Sequence, residues 1–469
     1  MKIKLTNPDP EKNVLTLLKE EGIVLNAYCG GNGRCGKCKV IIDGREVPAC
    51  RTFKTGTFEV TVPEASAMEN MQIVSGGEDI KLSSEDTAGT KKPRRGIAYD
   101  IGTTTVSALM YDLDTGKLLD GTVGANAQVT FGADVVARIQ AANEGNLEKE
   151  VSVLRDQLDR MKAFLSKGKP VEKCVIACNT IMEHFAEGLN PASIGVPPFK
   201  PESLFGYERI INGVPTYLAP CVSGYVGSDI TAGLAACGGL KAEGLWLYVD
   251  VGTNGEIAVG NRDGFMTCAT AAGPAFEGAE TECGMPALPG AIDHVTFENG
   301  AFRLHTIGGT APKGICGSGL IDIVACLVKN GLIKPNGAFV SGEERLYFTE
   351  EIYLSRKDIM ALMYGKAAIK AGIETLLHSR GEKAEDITKV IIAGGFGNFI
   401  DCESAVTIGL LPETPGARKI KAGNASLKGA SQLLFDVAPA VKMASGMTYG
   451  DLSTSREFTD FYIDAMNFE

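Results

Sequence analysis

The chain has 469 residues, with 57 acidic side chains against 46 basic ones and a formal net charge of −11. That balance argues against broad nucleic-acid binding, which needs a basic face. No apolar run approaches the roughly 18 residues of a membrane span. The start, Met1-Lys2-Ile3-Lys4-Leu5, lacks the apolar core of a signal peptide, so the expectation is a cytoplasmic chain of roughly two to four domains.

Hydrophobic content of 44% and 57 glycines describe an α/β chain rich in tight turns. Thirteen cysteines is a high and odd number for a reducing compartment, where disulfides are uncommon. Their spacing therefore matters.

Residues 1–62 read as one small unit. Ile3 to Leu5 predicts a short strand, and Val14, Leu15, Leu17 and Leu18 repeat at helical spacing up to about Glu21. Lys39 to Ile42 and Thr57 to Val62 predict two more strands. Between them stand Cys29, Cys35, Cys38 and Cys50, spaced C-x5-C-x2-C-x11-C, three of them in a glycine-rich loop. Glycines let backbone amides approach cluster sulfurs closely. Structural zinc sites commonly pair two C-x-x-C knuckles, and only one stands here. The spacing favours an iron–sulfur cluster over zinc or unrelated buried thiols. It resembles the 2Fe–2S ferredoxins with an x5-x2 loop.

Residues 63–93 are polar, glycine-rich and charged, the composition of a linker. A tether of about 30 residues has a root-mean-square span on the order of 30 Å, enough to move a small redox domain between two docking sites.

Residues 94–240 open with Gly96-Ile97-Ala98-Tyr99-Asp100-Ile101-Gly102-Thr103-Thr104-Thr105-Val106. This predicts a buried strand, a turn of glycine and hydroxyls, and a returning strand. Helices are expected over Val151 to Leu165, Met182 to Leu189 and Ile230 to Cys237, and a buried strand over Val171 to Ala177. Residues 241–469 open on a second copy of the hairpin, Leu247-Tyr248-Val249-Asp250-Val251-Gly252-Thr253-Asn254-Gly255. Helices follow at Ile321 to Lys329, at Asp358 to Leu377 and from Gly423-Asn424. Lys389 to Ala393 is a strand running into Gly394-Gly395, and the tail from about 452 predicts a terminal strand or arm.

A phosphate chain needs close backbone amides and hydroxyls, and a hard cation held by carboxylates or their waters. Asp100 with Gly102, Thr103, Thr104 and Thr105 forms one candidate clamp. Asp250 with Gly252, Thr253, Asn254 and Gly255 forms another, and Gly394-Gly395 would let an adenosine lie against the backbone. Asp-Gly hairpins are common turns, so neither clamp is specific alone. All three in this order, about 150 and 140 residues apart, are far more specific.

In that order the motifs resemble the phosphate-1, phosphate-2 and adenosine motifs of the actin–Hsp70–sugar-kinase ATPase superfamily. The resemblance implies two duplicated ribonuclease-H-like lobes. Asp100 is implied as the Mg²⁺-side carboxylate acting through water, and Asp250 as a second carboxylate positioning Mg²⁺ or an attacking water. With the N-terminal ferredoxin, nearly the whole chain resembles the reductive activators of corrinoid proteins. The phrases that carry this are Gly132-Ala-Asp-Val-Val-Ala-Arg-Ile139, Ala272-Gly-Pro-Ala-Phe-Glu-Gly278, Ile315-Cys-Gly-Ser-Gly-Leu320 and Ala393-Gly-Gly-Phe-Gly397.

The implied fold is α+β and α/β multidomain: a small β-grasp ferredoxin, then a two-lobed ATPase. The implied activity is ATP-dependent transfer of one electron from a 2Fe–2S cluster to Co(II), regenerating Co(I) on a corrinoid protein of a methyltransferase system. The implied cofactors are the cluster, ATP and Mg²⁺. The implied partners are that corrinoid protein, an upstream low-potential electron donor and a second copy in a homodimer. Alternatives are a small-molecule kinase with a regulatory ferredoxin, an activator of a 2-hydroxyacyl-CoA dehydratase-like enzyme, or a redox sensor with a vestigial nucleotide site.

The nine remaining cysteines sit in apolar or small-residue contexts and read as buried thiols. A second cluster between subunits would draw on Cys283 and Cys316. Glu183, His184 and Trp246 read as structural. Asn179 and Asp229, at element ends, are candidates for a nucleotide or partner role.

Overall fold

The computed structural model describes residues 2–21, 23, 25, 38–63, 80, 94–278, 281–394, 397 and 399–468. Cys29, Cys35, Gly395 and nearly all of the expected linker lie outside the described residues.

The N-terminal unit comprises β1 (Lys2–Leu5), α1 (Val14–Glu20), β2 (Lys39–Ile42), β3 (Arg45–Pro48) and β4 (Phe58–Thr61). Its sheet runs β1-β4-β2-β3. Asp43 and Gly44, with φ of 50° and 74°, turn β2 into β3, as a two-residue hairpin loop of right-handed twist requires. Val14, Leu18, Val40 and Val60 are fully buried between α1 and the sheet. β3 has no apolar alternation to announce it. It is an edge strand and ends on a proline, where a missing N–H costs no ladder bond.

The next sheet is built from β5 (Arg95–Ile101), β6 (Thr105–Asp112), β7 (Leu118–Ala125), β8 (Lys173–Cys178), β9 (Tyr207–Ile211) and β10 (Val214–Leu218). Its order is β7-β6-β5-β8-β10-β9. The helices in this stretch are α2 (Val135–Ala141), α3 (Leu147–Ser166), α4 (Thr180–Glu187) and α5 (Ser228–Ala236).

The remaining chain contains β11 (Leu245–Val251), β12 (Gly255–Asn261), β13 (Gly264–Thr270), β14 (Ala291–Glu298), β15 (Ala301–Thr306), β16 (Gly314–Ile315), β17 (Arg345–Tyr347), β18 (Tyr353–Ser355), β19 (Ile387–Ala393), β20 (Arg418–Gly423) and β21 (Met447–Tyr449). Its helices are α6 (Gly317–Lys329), α7 (Arg356–Arg380), α8 (Cys402–Thr407), α9 (Ala425–Leu433), α10 (Ala438–Ser445) and α11 (Arg456–Asp464). The main sheet here runs β20-β19-β11-β12-β13-β21.

The two six-stranded sheets repeat one plan. In each, a central strand (β5 or β11) pairs antiparallel with the next strand and parallel with a later one (β8 or β19). A third strand (β7 or β13) then extends the antiparallel edge. This is the duplication expected from the two hairpins. The tail differs from the expected strand or arm. It forms α11, with Ser455 accepting Phe458 N at its start and Phe461 edge-on to His378 of α7. An N-cap serine and a long neighbouring helix to pack against favour helix over strand.

Helices α5 and α9 exchange sheets. Ile230 and Leu234 of α5 pack with Trp246, Tyr248 and Ala258 of the second sheet. Leu427, Ala430 and Leu433 of α9 pack with Ala98, Leu109 and Val175 of the first. The two helices touch each other through small residues. A Cβ on Gly429 would lie 2.4 Å from the backbone of Ala232, and one on Gly233 would lie 3.2 Å from Ala425 Cβ. These glycines set how closely the two helices approach.

Candidate nucleotide site and cluster ligands

The strand alternation that buries Ile97, Tyr99 and Ile101 in the core beneath β5 turns Asp100 to the other face. Its carboxylate is half-buried and doubly held: Asn424 Nδ2 donates to Oδ2 at 2.7 Å and Ser426 Oγ to Oδ1 at 2.8 Å. Burial raises the Asp100 pKa, and these two donors draw it back. Asp250 holds the equivalent place on β11. Asp100 is in register with Ala177 of β8, and Asp250 with Ala393 of β19.

Two further carboxylates join them. Asp229 stands in the first turn of α5, and Glu256 pairs with Asp250 across the β11–β12 ladder. Burial, then the charges of Asp229 and Asp100, push Asp250 up to about 8. Burial, then Asp100, pushes Asp229 to about 7. Burial, then Asp229 and Asp250, raises Glu256 well above the carboxylate range. The charges of Asp100, Asp229 and Asp250 thus act on one another, although among the described residues no three acidic, histidine or cysteine side chains are placed to hold a metal ion directly. Glu256 is a further carboxylate of this acidic cluster, one that the sequence did not single out.

The expected phosphate-binding turns flank this cluster. Gly102, Thr103, Thr104 and Thr105 are half-buried between β5 and β6. A Cβ on Gly102 would lie 2.9 Å from Thr105 O, so the turn closes only around a glycine. Asn179 caps α4 by accepting Met182 N at 3.0 Å, and its amide reaches Thr103 Oγ1 at 3.4 Å. In the second turn Gly252 N donates to Asn254 O at 3.0 Å, and Thr253 is half-buried. Gly255 is buried in β12, where a Cβ would lie 2.7 Å from Ile369 of α7. Its lack of a side chain is required for packing. Gly394 has φ of 94°, and a Cβ there would lie 2.6 Å from Asp250 Oδ1. The expected adenosine floor therefore touches the second carboxylate. Its other half, Gly395, lies outside the described residues.

Of the four expected cluster ligands, Cys38 and Cys50 are described. Both residues are buried in the core of the N-terminal unit, and Ala49, next to Cys50, donates its backbone N to Cys38 O at 2.8 Å.

Of the other nine cysteines, six are buried as expected and Cys237, Cys283 and Cys402 are only half-buried; burial pushes the Cys174 thiol up to about 12. Cys316 is 2% exposed and directs its thiol to Ile292 O, whereas Cys283 directs its thiol to Glu351 O. The pair does not converge on one point. Glu183 is fully buried and accepts from Ser228 Oγ at 2.7 Å and Cys221 Sγ at 3.1 Å. His184 bonds Thr180 O and Trp246 donates to Glu243 O, so these groups have structural partners.

Sequence reasoning missed the role of Asn424 and Ser426. The run Asn424-Ala425-Ser426-Leu427 reads as a helix N-cap, and Asn424 does accept Leu427 N at 2.7 Å. Nothing local says that its amide also reaches the first sheet.

This fold and this site define a class: a small ferredoxin-like unit joined to a two-lobed ATPase-like unit of the actin and sugar-kinase type. Comparison with known proteins agrees across the chain. Residues 2–62 match the 2Fe–2S iron–sulfur cluster binding domain, 95–241 the RACo middle region and 244–469 the C-terminal ASKHA domain of RACo. The chain is 31% identical to the corrinoid activation enzyme RamQ of Eubacterium limosum, over 94% of each. It is 26% identical to a Co(II) methylated amine-specific corrinoid protein reductase of Methanosarcina barkeri, over 80% of this chain and 77% of that one. A solved reductive activator for a corrinoid, iron–sulfur protein superposes with a TM-score of 0.73 at 29% identity, covering 98% of this chain and 96% of that one. The chain belongs to the family of reductive activators of corrinoid proteins.

Proposed function

We propose that this chain binds and hydrolyses Mg²⁺–ATP and uses it to drive reduction of Co(II) to Co(I) on a corrinoid protein. The observation that carries the nucleotide half is the acidic cluster at the junction of two equivalent hairpins. Asp100 is raised by burial, and Asp229, Asp250 and Glu256 by burial and by neighbouring carboxylates, a deficit of positive charge that a hydrated hard cation would fill.

In this reading Asp100, its oxygens held by Asn424 and Ser426, would face Mg²⁺ through a water. Asp229 and Asp250 would meet the hydrated cation likewise, and Asp250 would position the attacking water. The turns at 102–105 and 252–255 would embrace the phosphates, and the Gly394-Gly395 motif would serve the adenosine. Cys29, Cys35, Cys38 and Cys50 would hold a 2Fe–2S cluster, which when reduced supplies one electron to Co(II) and is re-reduced by an upstream low-potential donor. The working form is a homodimer in the cytoplasm.

The energy scale is consistent. A one-electron gap of ~200 mV corresponds to about 4–5 kcal/mol. Moving a two-state equilibrium from 1:99 to 99:1 takes about 5.5 kcal/mol. Closure of the two lobes on a nucleotide, carried by α5 and α9, can supply that by favouring one cobalt state of the partner. The nucleotide half is tested by assaying ATP hydrolysis with and without Mg²⁺ for the wild type and Asp250→Asn. Mg²⁺-dependent turnover that the substitution abolishes supports the reading, and equal rates in both proteins would refute it.

A further inference from the structure

Arg138 is the largest fully buried side chain in the described part of the chain, with 0% exposure. It rises from α2, whose start is capped by Asp134 accepting Ala137 N at 2.8 Å. Its guanidinium donates Nε to Gly132 O at 3.1 Å, Nη1 to Met182 Sδ at 3.2 Å and Nη2 to Thr103 O at 2.5 Å. These acceptors are all neutral. Among the described residues no carboxylate lies within 4.0 Å of it, and the acidic charges that act on it, Glu150 and Asp134, do so from farther away. A buried cation without a paired anion is costly, so its retention at this place calls for an explanation.

Its place supplies one. Arg138 does not act on the 102–105 turn alone. Asn126, also fully buried, donates Nδ2 to Gly102 O at 2.8 Å and its backbone N to Thr104 O at 2.9 Å. Three successive carbonyls of the turn are therefore drawn back into the lobe. In a trans peptide the C=O and the following N–H point in opposite directions. Drawing in the carbonyls of Gly102 and Thr103 turns the N–H groups of Thr103 and Thr104 the other way. Successive amides presented together make an anion-binding concavity, and here a fixed positive charge stands directly behind it.

We propose that Arg138 is a positioning residue of the nucleotide site: it fixes the 102–104 turn through Thr103 O, and its buried positive charge is balanced by the phosphates of the bound nucleotide. This rests on the nucleotide reading above. The charge contribution separates it from a merely structural arginine. Loss of the turn's geometry alone would weaken ATP and ADP alike, because the turn meets phosphates and not adenosine. A charge behind the turn acts in proportion to the phosphate charge in front of it, and the burial of Arg138 keeps it weakly screened.

The test uses the full chain prepared anaerobically with its cluster, titrated with ATP, ADP and adenosine in Mg²⁺. Arg138→Gln removes the charge and places its amide near the former Nε, where it still reaches Gly132 O but falls short of Thr103 O. It is expected to weaken ATP about tenfold, ADP less, and adenosine by under about twofold; Arg138→Lys is expected to recover most of the ATP affinity. Glu150→Gln guards against a folding failure of the arginine variants. Glu150 is the first acidic charge acting on Arg138, and burial raises its pKa to about 7, so with the titrations run at pH 8 its removal is expected to tighten ATP severalfold without changing adenosine. Equal losses for ATP and ADP in Arg138→Gln, or unchanged ATP affinity in both Arg138→Gln and Glu150→Gln, would overturn the inference while leaving the nucleotide reading intact. No ATP binding by the wild type would overturn both.

Discussion

Asn424 donates its side-chain amide to Asp100 at 2.7 Å across 324 residues of sequence. The same side chain accepts Leu427 N and so starts α9. One asparagine therefore ties the first candidate carboxylate to a helix that lies against the first sheet and crosses α5. Asn424→Ala is expected to cost about 1–2 kcal/mol of stability, the usual scale for a lost N-cap, read as a lower melting temperature. Ser426→Ala removes only the bond to Asp100 Oδ1. It is expected to slow ATP hydrolysis with less effect on melting. Equal effects of the two variants on both readouts would contradict this division of roles.

The acidic cluster sets a pH dependence. Asp229 and Asp250 are raised to about 7 and about 8. A carboxyl raised in the folded state contributes stability that is fully present below its unfolded value, near 4, and is lost as pH rises through the folded value. The nucleotide-free chain is thus expected to lose stability between about pH 4 and pH 8. Mg²⁺–ATP should restore most of it at the alkaline end, because the cation favours the ionised carboxylates. Apparent Mg²⁺ affinity should rise from about pH 6 to pH 8.5, with protons released on binding. Calorimetry in buffers of different ionisation heat measures that release, and a pH-independent Mg²⁺ affinity would count against the cluster as its site.

Gly394 cannot be enlarged without moving Asp250. Its φ of 94° is strained for any side chain, and its Cβ would sit 2.6 Å from Asp250 Oδ1. Gly394→Ala is expected to cost about 1–3 kcal/mol of stability and to lower ATP hydrolysis by roughly 100-fold, the scale of a catalytic group displaced by about 1 Å. The iron content should stay at the wild-type value. Wild-type turnover in this variant would show that Asp250 is not needed in place.

Glu183 has no exposed surface, and its Oε1 has no hydrogen-bond partner among the described residues. Burial holds its pKa well above the usual range. Glu183→Gln, which keeps the shape without the charge, is expected to change stability by under about 1 kcal/mol at pH 4, below the unfolded value, and to stabilise increasingly towards pH 8.5. Glu183→Ala leaves Ser228 and Cys221 without their acceptor and should cost about 1–3 kcal/mol. Chemical denaturation at the two pH values separates these outcomes.

Much of this was readable from local chemistry. A carboxylate near the end of an apolar strand, followed by glycine and hydroxyls, announced both Asp100 and Asp250. The copy of one hairpin in the other announced the repeated sheets. Cysteine spacing announced a cluster domain, which the family comparison bears out. What escaped was non-local. Arg138 looks like one more basic residue in an amphipathic helix, and only the fold puts it behind Thr103. Asn424 and Ser426 read as a cap, since hydrogen bonds across hundreds of residues leave no periodicity. The strands β9, β14 and β15 lack the apolar density of β5 and β11, because part of their surface stays exposed. The terminal helix α11 was hidden differently: its aromatic stripe, with Phe458 and Phe461, is short and its partner, α7, lies far back in the chain.

The most direct measurement is anaerobic. The reduced protein is mixed with a Co(II) corrinoid protein, with and without Mg²⁺–ATP, and the cobalt spectrum is followed. The expected result is loss of Co(II) and appearance of Co(I) that requires ATP and is abolished in both Asp250→Asn and Cys50→Ser. Reduction of equal extent without ATP, or none with it, would contradict the central claim.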